Sequence, residues 1–248
     1  MNSNVGATHK EKNIYLWLTK FTNRNKKPEK TFCGTESRSL RTPSTDTTKH
    51  IATMNHPIRF TTPEEAVKVI KSGDHVHLSS VASVPQILVR AMTARGEAGE
   101  LQHVHIHHLH TEGEALYAVP EMEGIFQLDS FFVGGNVRNI TQQGFADYIP
   151  VFLSETQRLY RDGILPCNVA MIQVSTPDRH GYVSLGTSVD ATLAAVECAD
   201  TVIAVVNRHV PRSFGDSFIH TSQIDLFVED DTPLIEEHFA EPNDLECA

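Results

Sequence analysis

"NVAMIQVSTPDRHGYVSLGTSVDATLAAVECADTVIAVVN", residues 168–207, holds two short, near-continuous apolar runs with a helical segment between them. The runs "NVAMIQVS" and "TVIAVVN" leave no solvated face, so each must be covered above and below. Parallel strands joined by a helical crossover meet that need. The intervening "SVDATLAAVECAD" has helical spacing, with Ser188 as its expected cap.

The same alternation recurs on both sides of this stretch. "TTPEEAVKVIKSGD" opens a helix at Thr62, with Pro63 at its first position and Glu65 completing a capping box. "HVHLSS" reads as a strand, with Val76 and Leu78 on one face. After the loop "SVASVP", a second helix turns Ile87, Leu88, Ala91 and Met92 towards a core and stops at Gly96. "IFQLDSFFVG" is a further strand, and "SETQRLYRDG" a helix capped by Ser154. Strands alternating with helices predict an α/β fold, doubly wound around a mainly parallel sheet. There is no GxGxxG or Walker loop, and so no nucleotide cradle of those kinds.

"HVHIHHLH", residues 103–110, puts five of the 14 histidines into eight positions. On a strand, His103, His105 and His107 share a face, and Val104 and Ile106 share the other. Histidines at i, i+2 are able to grip a metal. No HExxH or recognised acidic partner accompanies them, so the expectation is a polar strand face meeting loops or a neighbouring subunit, with no metal bound.

The net charge of −10 is unevenly spread. Residues 1–53 carry 10 Lys/Arg against 4 Asp/Glu, a net +6; residues 54–248 carry 11 against 27, a net −16. The basic, hydroxyl-rich first segment lacks the apolar content to order itself, and reads as a disordered leader, a transit peptide or an upstream extension. The compact domain is expected over 54–248. Its acidity argues against a nucleic-acid partner. No apolar run approaches the roughly 20 residues of a membrane helix. Cys33, Cys167, Cys198 and Cys247 lie far apart and suggest free thiols in a reducing compartment. The expected location is cytoplasmic, or mitochondrial where the leader is a transit peptide.

In such a sheet, ligands sit beyond the carboxyl ends of strands. The loops there offer small and polar groups: Ser79, Ser80, Gly134, Asn136, Arg138, His180 and Arg212. Each taken singly reads equally as an ordinary turn or solvated residue. Gly134 lets a backbone approach closely, and Arg138 and Arg212 suit a carboxylate or phosphate.

Together, "VGGNVR…GFADYIPVFLSE", "NVAMIQVSTPDRHGYVSLGTSVDAT" and "VIAVVNRHVPRSFGDSFIH" resemble the acetyl-CoA hydrolase/transferase family, which includes acetate and 4-hydroxybutyrate CoA-transferases. The resemblance spans residues 54 to about 246. It implies the first of two similar CoA-transferase halves, acting on acyl-CoA and a short-chain carboxylate with no further cofactor. In the family a glutamate attacks the thioester, giving an acyl-glutamyl anhydride and then a glutamyl-CoA thioester that an acceptor carboxylate opens. Attack by water makes a hydrolase instead. That glutamate lies in the family's second half, which this chain would enter only at "EEHFAEPNDLECA". No residue here matches it; Glu112 in "HTEGEAL" follows a strand of the first half. The expectation is a domain inactive alone, completed by a C-terminal half or by self-association. A non-catalytic subunit supplying binding loops is the other reading.

Overall fold

The computed structural model describes residues 58–236, so the expected leader and the boundary at residue 54 lie outside the described residues. Seven parallel strands form the central sheet. They are β1 (His75–Leu78), β2 (Val104–His108), β3 (Phe126–Ser130), β4 (Ala146–Tyr148), β5 (Val169–Val174), β7 (Thr201–Val206) and β9 (Leu226–Glu229). β6 (Tyr182–Ser184) and β8 (Phe218–His220) pair separately as an antiparallel ribbon.

The sheet order is β4-β3-β2-β1-β5-β7-β9. The chain winds outward from β1 to β4, returns to place β5 against β1, and winds the other way to β9. This is the doubly wound arrangement expected, with its topological switch between β1 and β5. A crevice opens at such a switch because the two flanking connections leave in opposite directions.

Both faces are covered, which explains the apolar runs of β5 and β7. On one face α2 (Gln86–Glu97) packs Leu88 and Met92 against Val76, Leu78, Val104 and Ile106. On the other, α4 (Thr156–Arg161) and α5 (Thr192–Cys198) meet His77 through Tyr160 and Thr192. α1 (Pro63–Ala66) starts at the expected Thr62 cap, its hydroxyl accepting from the Glu65 amide at 3.3 Å, but the Glu65 carboxylate accepts from Lys68 and does not complete the expected capping box. α3 (Gly135–Gln143) leads into β4. Among the described residues, no helix is long and apolar enough to cross a membrane.

Three further local expectations are corrected. α2 runs past Gly96 to Glu97. A Cβ at Gly96 would lie 2.6 Å from a Phe126 ring carbon, so this glycine seats the helix against β3 and does not end it. Ser154 sits inside a 3-10 turn (Leu153–Glu155) and makes no cap for α4. Ser188 precedes α5 by four positions; Asp190 instead accepts from the Thr192 amide and hydroxyl.

Candidate functional site

A cleft of about 300 Å³ opens at the carboxyl edge of the sheet, at the switch point. Ala82 and Val84 from the loop after β1 line it, with Gln86, Ile87 and Arg90 from the first turns of α2. Gly113 and Glu114 enter from the loop after β2, Gln173 from β5, and Asp230 and Thr232 to Ile235 from beyond β9. The walls combine apolar side chains with a few fixed polar groups, as small-molecule sites do.

The polar groups are arranged unequally. Gln86 donates through Nε2 to the Glu112 carbonyl at 2.9 Å, while its Oε1 is buried without a protein partner. A buried acceptor left open is costly, so a bound donor or water gains there. Arg90 grips Glu114 through Nε (3.2 Å) and Nη2 (3.1 Å) at the rim. Asp230 accepts from the Thr232 amide and hydroxyl at 3.1 and 2.7 Å. Both cleft carboxylates are thus already engaged. Glu112 pairs with His110 Nε2 at 2.8 Å and points its carboxylate elsewhere.

The residues singled out from sequence divide into two groups. The Ser79 hydroxyl accepts from the Gln173 amide at 3.4 Å, and Asn136 donates to the Gly113 carbonyl at 3.2 Å, so each touches a residue of the cleft wall. The Ser80 amide donates to the Ser188 hydroxyl at 2.7 Å, leaving the buried Ser80 hydroxyl without a protein partner. Gly134 abuts the His110 ring so closely that a Cβ would lie 2.8 Å from it. Arg138 is exposed on α3, and His180 is exposed beside Arg179. Arg212 spends its guanidinium on the Ser175 hydroxyl, the Thr176 and Tyr182 carbonyls and Asp178. None of the seven lines the cleft itself; Ser79 and Asn136 support its wall from behind, and Arg138, His180 and Arg212 lie away from it. Sequence reading missed Gln86, Arg90 and Gln173, because the strand-end rule points to loops and not to the next helix's first turns. It missed residues 230–235 because β9 was not recognised.

The histidine-rich strand behaves differently from expectation. His103 precedes β2 with φ +54 and is not part of its face. His107 and His108 are fully buried on opposite faces, because β2 is an interior strand. The face of His105 and His107 is only partly open to solvent: His75 of β1 and Asp129 of β3 join them, and Tyr160 of α4 stacks on His107 at 6.2 Å.

Within this group, His105 Nδ1 lies 2.7 Å from Asp129 Oδ2, and His75 Nδ1 lies 3.1 Å from His107 Nε2. His107 Nε2 is 3.4 Å from the same Asp129 oxygen. Burial, then the neighbouring His107 and His105, lower His75 to about 4. The hydrogen bond to Asp129 raises His105 above its ordinary value. Burial alone would raise the Asp129 carboxyl, but hydrogen bonds and charge from His105 and His107 outweigh it and hold it at about 2.

Residues 45–236 match the acetyl-CoA hydrolase/transferase N-terminal domain. The chain is 38% identical over 190 residues to the 4-hydroxybutyrate coenzyme A transferase of Clostridium kluyveri, covering 77% of this chain and 44% of that protein. It is 38% identical over 161 residues to the succinyl-CoA:acetate/propanoyl-CoA:succinate CoA transferase of Fasciola hepatica, covering 65% and 33%. RipA from Yersinia pestis superposes with a TM-score of 0.69 at 29% identity, over 75% of this chain and 45% of that one. A 4-hydroxybutyrate CoA-transferase from Porphyromonas gingivalis superposes at 0.60 with 31% identity, covering 72% and 41%. The chain spans less than half the length of these relatives.

Proposed function

Because the chain belongs to the acetyl-CoA hydrolase/transferase family, we propose that it forms the N-terminal half of an acyl-CoA:carboxylate CoA-transferase. Its substrates would be an acyl-CoA thioester and a short-chain carboxylate. The observation that carries this is the cleft at the switch between β1 and β5, whose two carboxylates, Glu114 and Asp230, are both held by donors. A carboxylate nucleophile must be free to approach the thioester carbon, with amides placed to stabilise the oxyanion. The described residues supply walls and polar anchors; the attacking glutamate is assigned to a second half, in the same polypeptide or another.

The 248-residue chain should bind acetyl-CoA by calorimetry but turn over none with propionate as acceptor. Turnover should appear when it is co-expressed with the second half of the Clostridium kluyveri relative. Turnover by the chain alone, with a hydroxylamine-sensitive glutamyl adduct within residues 58–236, would overturn this division of labour. Failure to bind any acyl-CoA, with or without a second half, would overturn the assignment itself.

A further inference from the structure

Outside the cleft, one group of side chains among the described residues is arranged as ligands are. His75, His105, His107 and Asp129 each offer one ligand atom, and these atoms all lie within 4.8 Å of one another. We infer that they form a tetrahedral site for one divalent transition-metal ion of the zinc type, clamping β1, β2 and β3 together.

The register makes the cluster. His75 pairs with His105 across β1 and β2, and His107 pairs with Asp129 across β2 and β3. Alternation along β2 puts His105 and His107 on one face, and the spacing of parallel neighbours brings His75 and Asp129 beside them. Four strand positions are fixed by ladder hydrogen bonds, so little backbone order need be gained on binding.

The distances suit zinc. Four ligands at about 2.0–2.1 Å in a tetrahedron lie roughly 3.3–3.4 Å apart. His75 to His107 at 3.1 Å and His107 to Asp129 at 3.4 Å are already near that separation. His105 and Asp129, now hydrogen-bonded at 2.7 Å, must open by about 0.6–0.7 Å once the ion replaces the shared proton, and the remaining ligand atoms, all within 4.8 Å of one another, adjust to the same separation.

Access is graded. The His107 side chain is 0% exposed and Asp129 14%, while His105 is 35% exposed. An ion therefore enters past His105 and is sealed from beneath by Tyr160, which stacks on His107. Three imidazoles and a carboxylate favour zinc, cobalt or copper over calcium or magnesium, which take mainly oxygen ligands.

Four protein ligands leave no open position for water, as in structural zinc sites. The place in the fold agrees. His75 opens β1, whereas the cleft begins beyond Ser79, roughly 13 Å further along an extended chain. The ion would hold the sheet and take no part in thioester chemistry. Residues 103–110 do not by themselves show the site, because two of the four ligands, His75 and Asp129, come from other strands.

The test uses the full 248-residue chain, stripped with a chelator and titrated with cobalt(II) and then zinc. One equivalent of cobalt should give the intense visible absorption of tetrahedral coordination, zinc should displace it, and the unfolding temperature should rise. His75→Gln, His105→Gln and Asp129→Asn should each weaken binding by roughly a hundredfold or more. His209→Gln, an exposed histidine elsewhere, should not. Asp129→Asn is nearly isosteric, and far-UV circular dichroism verifies that each variant is folded. A weak, octahedral cobalt spectrum, or tight binding that survives loss of His75 and His105, would overturn the site. Since neither readout involves CoA transfer, the site and the proposed activity stand or fall separately.

Discussion

His77 Nδ1 lies 3.0 Å from the Tyr160 hydroxyl, and the other ring nitrogen lies 3.1 Å from the Thr192 hydroxyl. One buried imidazole thus ties β1 to both helices on its face, with the Tyr160 ring edge-on at 5.5 Å. Tyr160→Phe keeps the ring and removes the hydroxyl, stranding Nδ1 in an apolar setting. The expected cost is about 1–3 kcal/mol, read from urea midpoints at constant slope. His77→Leu with Tyr160→Phe should cost less than the two single changes together, because both polar partners are then gone.

Stability should fall as the solution is acidified below about pH 6.5. Burial first, then neighbouring histidines, push both His77 and His108 down from 6.5 to about 3. The unfolded chain therefore takes up protons at a higher pH than the folded one. Stability is full above 6.5 and is lost progressively towards 3, by up to about 1.4 kcal/mol per pH unit for each imidazole. His75, lowered to about 4, acts in the same direction. His105 is raised and acts oppositely: its contribution is full at low pH and is lost as pH rises through its folded value. Three lowered groups against one raised set the net sign. Urea midpoints in chelator at pH 7.5 and 5 should differ accordingly; a higher midpoint at pH 5 would contradict the burial of His77 and His108.

Arg212 acts as a strap. Its Nη1 serves the Ser175 hydroxyl and the carbonyls of Thr176 and Tyr182, and its guanidinium lies 5.1 Å from the centre of the Phe218 ring. Lysine keeps the charge but lacks the planar fork. Arg212→Lys should speed amide exchange in β6, β8 and the 175–181 loop while leaving the central sheet protected. Unchanged exchange with weaker carboxylate binding would instead make Arg212 the anion-binding group that its loop position suggests.

What the sequence reveals and what it hides have separable causes. The apolar runs of β5 and β7 have no exposed face, so their chemistry alone requires a sheet covered on both sides. The Thr62–Glu65 cap is equally local and reads directly. Register is not local. Nothing within 103–110 says that His105 will face His75, thirty positions earlier, or that His107 will face Asp129. β4, β6 and β8 are three residues long, too short for a period to show. The cleft residues share the difficulty, since Gln86 and Gln173 meet only through the switch-point geometry.

Gly113 gives the most direct test of the cleft. Its φ is +75, where a side chain costs roughly 1–2 kcal/mol. A Cβ there would lie 2.8 Å from both Gln86 Nε2 and Ile235 Cδ1, two groups of the cleft wall. In Gly113→Ala the flexible Gln86 must swing away, breaking its bond to the Glu112 carbonyl and moving its open acceptor. The expected outcome is a modest loss of stability together with weaker acetyl-CoA binding. Gly113→Asn separates the two causes, because asparagine tolerates the left-handed backbone better than alanine yet carries the same Cβ. Asparagine should recover part of the stability but none of the affinity. If it restores both, backbone strain alone explains the effect, and the pairing of Gln86 with Gly113 has no part in ligand binding.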